Sequence, residues 1–410
     1  MQNQSIVILA DSFYPNTTMS GNIAGKIADE LVDKGHDVRI VAYKYDKCNF
    51  REIKNIEVRY IFNWSFYYEK ILADKLRINN SLYNKSLYFA KKVFSNVLRN
   101  CSSMGINKKT VDEIVQVLKE MNASKTIDIV LSIAAPFEFQ AANYEYKKLN
   151  PDIKSILYQV DFWTTLQDRG LPGIFQDRRK KNRESLLSDM CRISQVLMIP
   201  PVKRAEGTEK IRSAQLPLIK ENYHALEHHG EKTVLVYTGT LNKRERDPRA
   251  LIDFLVKNDE EIELHIYHRG DCGSEIQSLS EKYPDKVFNH GTVSQKEAFA
   301  AIAGASVLLM IGTPNGNQVA GKTFDYLSTG KRILYYSQSD FDLNVDFLKN
   351  YPNLFVLRKF SEKESCSLKQ FLHSNSYTDI EFSEIKSVYL DATPEFFCEN
   401  YILSDRMELH

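Results

Sequence analysis

Two stretches carry side chains whose types and spacing suit a bound phosphate or diphosphate. In the first, Gly239-Thr240-Leu241-Asn242-Lys243-Arg244-Glu245-Arg246 sets a glycine turn and three cations ahead of a helix that Asp247-Pro248 opens. Taken alone, it could equally be a solvated loop. In the second, an apolar run ending at Gly312 passes into Pro314-Asn315-Gly316-Asn317, which is loop chemistry, and then into Gln318, Val319, Ala320, Gly321 and Lys322. A helix beginning near Gln318 would aim its unpaired amides past the strand ends, and Lys322 adds a cation. Asp325 lies eight residues after Asn317. Eight helical residues rise roughly 12 Å, so one molecule of about that length could touch both ends.

Two further residues have the right setting for chemistry. Asp161 follows a strand, where ligands gather in doubly wound sheets, and a carboxylate there can orient or deprotonate a hydroxyl. It is as well suited to capping a turn. Gly21 opens a helix, where the missing side chain lets a ligand approach the backbone; a plain turn is the alternative. There is no G-x-G-x-x-G dinucleotide fingerprint. The nine histidines show no metal-ligand spacing, and Asp340-Phe341-Asp342 reads as a helix cap rather than a cation site. No metal site is expected.

The elements that must position these residues alternate between strand and helix. Strands are expected at Ser5–Ala10, Val38–Tyr43, Ile56–Phe62, Ile127–Ala134, Ile153–Gln159 and Gln195–Ile199, with helices between them. A polar linker runs from about Val202 to Lys232, and the alternation restarts at Thr233–Thr238. Gly330 fits the left-handed position after a helix end. The fold class expected is α/β, with two doubly wound domains: 1–201, then 202–385, then a helical tail over 386–410 that packs back on the first domain.

A chain of 410 residues exceeds one core, and its composition is that of an ordinary globular protein. No apolar run reaches the length of a membrane span, no signal peptide opens the chain, and the six cysteines form no C-x-x-C pair. Reduced thiols in a cytoplasmic protein are the expectation. Residues 1–205 hold 31 Lys and Arg against 22 Asp and Glu, while the remainder holds 23 against 31. The basic half points to an anionic partner or surface, or else to uneven decoration of two soluble domains. From Asn63 to Asn100 aromatic and basic residues mix in a helical pattern, with only Glu69 and Asp74 opposing them. Such a helix can lie at the inner face of an anionic membrane; packing on its own domain is the alternative. Nucleic acid is a poorer fit, since no recognised reading module accompanies the charge, and no nucleic-acid partner is expected.

The order of motifs resembles the GT-B-fold retaining glycosyltransferases of bacterial cell-envelope glycan assembly. Ser12-Phe13-Tyr14-Pro15, Gly21 and Gly35-His36-Asp37-Val38 look like their opening pattern. Gln159-Val160-Asp161-Phe162-Trp163 is similar to the middle of their acceptor domain. Tyr237-Thr238-Gly239-Thr240-Leu241 looks like the start of the donor domain, and Phe288-Asn289-His290-Gly291-Thr292-Val293 resembles the loop that holds the nucleobase. Lys322-Thr323-Phe324-Asp325-Tyr326-Leu327 with Gly330-Lys331 looks like the donor-binding helix. That helix carries two glutamates eight positions apart in the family, the first near the donor sugar and the second on the ribose. Asn317 and Asp325 match them, and Thr240 stands where an Arg is usual.

The resemblance implies two domains facing across a cleft and transfer of a hexosyl unit from a nucleotide diphosphate sugar to a glycan or lipid-linked hydroxyl. It implies no cofactor or metal and a pair of cations on the diphosphate: with Thr240 in place of the Arg, Lys243, Arg244 or Arg246 must supply one, Arg246 being favoured, with Lys322 as its partner. The family's strand-end His in the acceptor domain has no clear equivalent, and Asp161 is the nearest polar group for the acceptor hydroxyl. Two other functions remain open: a sugar-nucleotide epimerase of the same architecture, and a catalytically silent, glycan-binding relative.

Overall fold

The computed structural model describes all residues except 1–2, 14–17, 45–51, 54, 64–66, 69–70, 73–74, 76–80, 101–104, 135, 162–172, 203–209, 222–231, 318, 375–376 and 405–410. Gln318, Phe162-Trp163 and His228-His229 therefore lie outside the described residues. The chain forms two compact units, residues 1–217 with 391–410, and residues 218–390.

Unit 1 is built on β1 (Ser5–Ala10), β2 (Asp37–Tyr43), β3 (Glu52–Ile53), β4 (Ile56–Ile61), β5 (Ile129–Ala134), β6 (Lys154–Gln159), β7 (Gln195–Met198) and β8 (Arg212–Ser213). Their order is β3-β4-β2-β1-β5-β6-β7-β8, and every pair is parallel except β3 with β4. Its helices are α1 (Met19–Asp33), α2 (Leu82–Asn100), α3 (Lys108–Ser124), α4 (Glu138–Leu149) and α5 (Gly173–Ile193). β1 is buried at every residue, as a central strand covered on both faces must be. Val7, Leu9 and Val41 pack against Ile114 and Leu118 of α3 and Phe139 of α4. Unit 1 runs to Pro217 rather than the expected Pro201, because β8 joins the edge of β7. The tail returns to this unit from Asp391. The Phe397 ring meets that of Tyr158 at 4.9 Å, the Tyr401 hydroxyl donates to the Ser213 carbonyl, and Lys154 Nζ donates to the Ile402 carbonyl.

Unit 2 carries β9 (Thr233–Leu241), β10 (Ile262–Gly270), β11 (Val287–Gly291), β12 (Val307–Ile311), β13 (Arg332–Tyr336) and β14 (Leu354–Leu357). All are parallel, in the order β11-β10-β9-β12-β13-β14. This is the order of the doubly wound dinucleotide-binding sheet, in which successive strands grow outwards from the centre in both directions. Its helices are α6 (Arg249–Asn258), α7 (Gly273–Lys282), α8 (Gln295–Ala303), α9 (Gly321–Leu327), α10 (Leu343–Leu348), α11 (Glu362–His373) and α12 (Phe382–Val388). Leu235, Tyr237, Leu264 and Ile266 bury against Leu251 and Leu255 of α6, Ile276 of α7 and Phe371 of α11.

Candidate functional site

The reversal of strand order in unit 2 falls between β9 and β12, and ligands of such sheets bind outside the carboxyl ends of the strands at that point. The segments expected to hold a diphosphate leave the sheet there. β9 and β10 pair in register as far as Leu241 and Gly270, so Gly239 and Thr240 lie inside a strand, opposite His268 and Arg269. The glycine turn expected at Gly239 is thus corrected: the chain turns at Lys243–Glu245. Thr240 Oγ1 accepts from Arg269 Nε at 3.0 Å, and its carbonyl accepts from the Tyr237 hydroxyl.

The three cations after β9 have different fates. Lys243 is exposed and pairs with Glu275, and its backbone amide donates to Asp271. Arg244 is exposed. Arg246 is half-buried and donates from Nε to the Ile311 carbonyl at 3.2 Å, spanning the switch point from the loop after β9 to the last residue of β12. No carboxylate among the described residues lies within ion-pair distance of it. Gln338, which nothing in the sequence singles out, donates through one amide nitrogen to the carbonyls of Glu245 and Gly312, at 2.8 and 2.6 Å. It ties the same two loops together.

The loop after β12 is held from the other side. Asp342, buried, caps α10 through the Asn344 amide and accepts from the hydroxyls of Tyr335 and Ser337. The cap reading of Asp340-Phe341-Asp342 thus holds at Asp342. Gly316 has φ +53° and sits against the Phe341 carbonyl, where a side chain would collide. The helix that follows differs from expectation. α9 begins at Gly321 rather than near Gln318, and the Ala320 amide is already taken by Asn344 Oδ1 at 2.8 Å. The helix thus starts three residues later than expected, and Asn344 satisfies one of its entry amides. Val319, Ala320 and Gly321 are half-buried, whereas Asn317 is exposed. Lys322 and Asp325, expected to reach different parts of a ligand, pair with each other at 3.2 Å. α9 is anchored by Tyr326, whose buried hydroxyl accepts from the Thr238 amide at 3.0 Å. Burial pushes this phenol up to about 12.

His290 and Gly291 end β11, two strands from β9, or about 10 Å at ordinary strand spacing. Gly291 has φ +60°. The His290 ring lies flat on Tyr267, with 4.2 Å between centroids and 5° between planes, and shares a 3.0 Å hydrogen bond with His265. Burial, then the neighbouring His265, holds the His290 imidazole below its usual range.

In unit 1, Gly21 is buried, and a Cβ there would come within 2.6 Å of both the carbonyl and the hydroxyl oxygen of Ser12. This corrects the sequence reading. The glycine lets α1 close on the chain leaving β1, and its own protein occupies the space foreseen for a ligand. Thr18 caps that helix. Asp161 lies two residues past the end of β6. Its side chain is exposed, yet the surrounding chain desolvates the carboxyl enough to raise it above the usual range. Among the described residues no group of three or more His, Cys, Asp or Glu is arranged to hold a metal, and no helix is long and apolar enough to cross a membrane.

No protein-family model matches the sequence, and no curated protein matches it significantly. Solved structures do match in shape. A glycosyltransferase from Rickettsia africae aligns with a TM-score of 0.58 at 10% identity, over 98% of this chain and 100% of its own. A mutant of S. aureus TarM, in complex with fondaparinux, alpha-GlcNAc-glycerol and UDP, aligns at 0.56 and 12% identity, over 98% and 99%. The N-terminal domain of Candida albicans trehalose-6-phosphate phosphatase aligns at 0.59 and 10% identity, over 98% and 96%. At such identities the likeness speaks for the architecture alone. The chain has the GT-B fold, with two α/β units whose sheets are parallel but for one two-residue strand.

Proposed function

We propose that this protein is a glycosyltransferase that moves a hexosyl unit from a nucleotide diphosphate sugar to a hydroxyl of a glycan or lipid-linked acceptor. The observation that carries the reading is Arg246, half-buried and fixed through Nε at the switch point of a sheet whose strand order suits nucleotides. Its terminal nitrogens supply paired donors for a diphosphate. Two of the matched structures are named as glycosyltransferase or bound to UDP, which supports a nucleotide-linked donor.

In the reaction the bond between the anomeric carbon and the diphosphate oxygen breaks, and a bond to the acceptor oxygen forms. Negative charge grows on the departing diphosphate, and Arg246 and Lys322 offset it without a metal. Asp325 accepts from ribose hydroxyls, and the Tyr267–His290 stack offers a flat wall to a base. Asn317 meets the donor sugar. Asp161 takes the acceptor proton, a role its raised carboxyl pKa suits better than an ordinary one. Retention of configuration and a role in bacterial surface polysaccharide synthesis rest on the motif resemblance alone.

A thermal-shift panel of nucleotide sugars tests this reading. A cognate donor at about 100 times its dissociation constant stabilises by roughly 2.7 kcal/mol. If neither nucleotide sugars nor nucleoside diphosphates raise the melting temperature, the reading fails.

A further inference from the structure

Over its described side chains, residues 82–91, helix α2 turns its large apolar residues to solvent, the opposite of a helix packed on a globular core. At 100° per residue, Leu82, Tyr83, Leu87 and Phe89 fall on one side, and Asn84, Tyr88 and Lys91 on the other. The apolar side is the one in solvent: Leu82 is 82% exposed, Tyr83 72%, Phe89 68% and Leu87 38%. Asn84, Tyr88 and Lys91 are half-buried, and the Asn84 side chain donates to the Lys75 carbonyl at 3.4 Å. In the sequence the apolar spacing continues through Val93, Phe94 and Val97. Residues 82–100 contain four cations, Lys85, Lys91, Lys92 and Arg99, and no carboxylate.

We propose that α2 docks this protein on an anionic phospholipid bilayer. The exposed leucine and aromatic side chains enter the headgroup boundary, and Lys85, exposed on the flank of that face, meets lipid phosphates. An outward apolar stripe needs a cover, and two features select a charged lipid surface as that cover. A cationic helix with aromatic residues on its apolar side is the pattern of an interfacial helix. A second copy of the chain would instead bring four like charges together about each helix, with no acid on the helix to answer them. The inference does not depend on the chain transferring sugars.

Vesicle co-sedimentation tests it, comparing phosphatidylcholine alone with phosphatidylcholine holding about one-third phosphatidylglycerol. The expected result is at least tenfold stronger partition onto the anionic vesicles, weakened by salt. Phe89→Glu and Leu87→Glu each lower that partition about tenfold, with unchanged circular dichroism because both side chains are exposed. Lys85→Glu also lowers it. Equal partition onto both vesicles, no partition, or unaltered binding by the two apolar-face variants overturns the proposal. So does light scattering that shows a dimer which Phe89→Glu dissociates, since the stripe would then be a subunit interface. Failure here leaves the nucleotide-sugar panel untouched, and failure of that panel leaves vesicle binding untouched.

Discussion

The Arg246 guanidinium donates from Nε to the Ile311 carbonyl, joining the loop after β9 to the end of β12 at 3.2 Å. This bond fixes the plane of the guanidinium before any ligand arrives, so little rotamer entropy is lost on binding. Arg246→Ala should lower kcat/KM with the cognate donor by about 10²–10³, the usual cost of one preorganised charge donor. Arg246→Lys should recover only part of it, since an ammonium cannot bond the carbonyl and a diphosphate in one plane. Steady-state kinetics on both variants check this. Equal activity of Arg246→Ala and wild type removes Arg246 from the site.

The pairing of Lys322 with Asp325 raises a question of roles. Both side chains are partly exposed, at 37% and 22%, and such ion pairs contribute about 1 kcal/mol or less to stability. Asp325 therefore either orients Lys322 or contacts ribose. If it meets ribose, Asp325→Ala should weaken a nucleoside diphosphate about tenfold and leave pyrophosphate binding unchanged. Calorimetric titration with the two ligands separates the cases. Equal losses for both would mean that Asp325 acts through Lys322.

Much of the frame was legible in the sequence because parallel strands buried on both faces read as apolar runs. Ser5–Ala10 lies where such a run predicts, and β6 begins one residue inside the expected Ile153–Gln159. Gly330 has φ +72°, and Asp342 caps a helix, since turn and cap chemistry is local. What was not legible depends on partners distant in sequence. Gly239 reads as a turn residue but is held in β9 by pairing with β10, 29 positions on. The start of α9 shifts because Asn344 takes the Ala320 amide from 24 positions away. Gln338 and Tyr326 carry no periodic or charge signal, yet each ties two site segments together. The reason for Gly21 also changed, as the neighbour it accommodates is Ser12.

Two left-handed glycines of unit 2 make a stability comparison. Gly291 has φ +60° with nothing within 4 Å of an added Cβ. Gly330 has φ +72°, and a Cβ there would lie 2.1 Å from the Ile380 carbonyl oxygen. Alanine at 291 should cost about 1 kcal/mol, the backbone strain alone. Alanine at 330 must also push back the 380 segment and should cost roughly 2–4 kcal/mol. Urea unfolding of the two variants measures the gap. Equal costs would mean that the Ile380 segment yields freely.

His268 should make unit 2 sensitive to mild acid. The ring is buried in β10, its Nε2 lies 3.2 Å from Asn289 Oδ1, and burial holds the imidazole below its usual value, the Asn289 contact acting in the opposite direction. The folded state then binds fewer protons than the unfolded one at pH values between the lowered folded pKa and the ordinary 6.5 or so. Stability is fully present above that range and falls as pH drops through it, by at most about 1.4 kcal/mol per pH unit for one histidine. His290, also lowered, adds in the same direction. His268→Gln removes the titrating group while keeping a side chain able to bond Asn289. Urea unfolding compares the variant with wild type at each pH, and its loss of stability between pH 7 and 5 should be visibly smaller. An unchanged slope in the variant would assign the acid sensitivity to other groups.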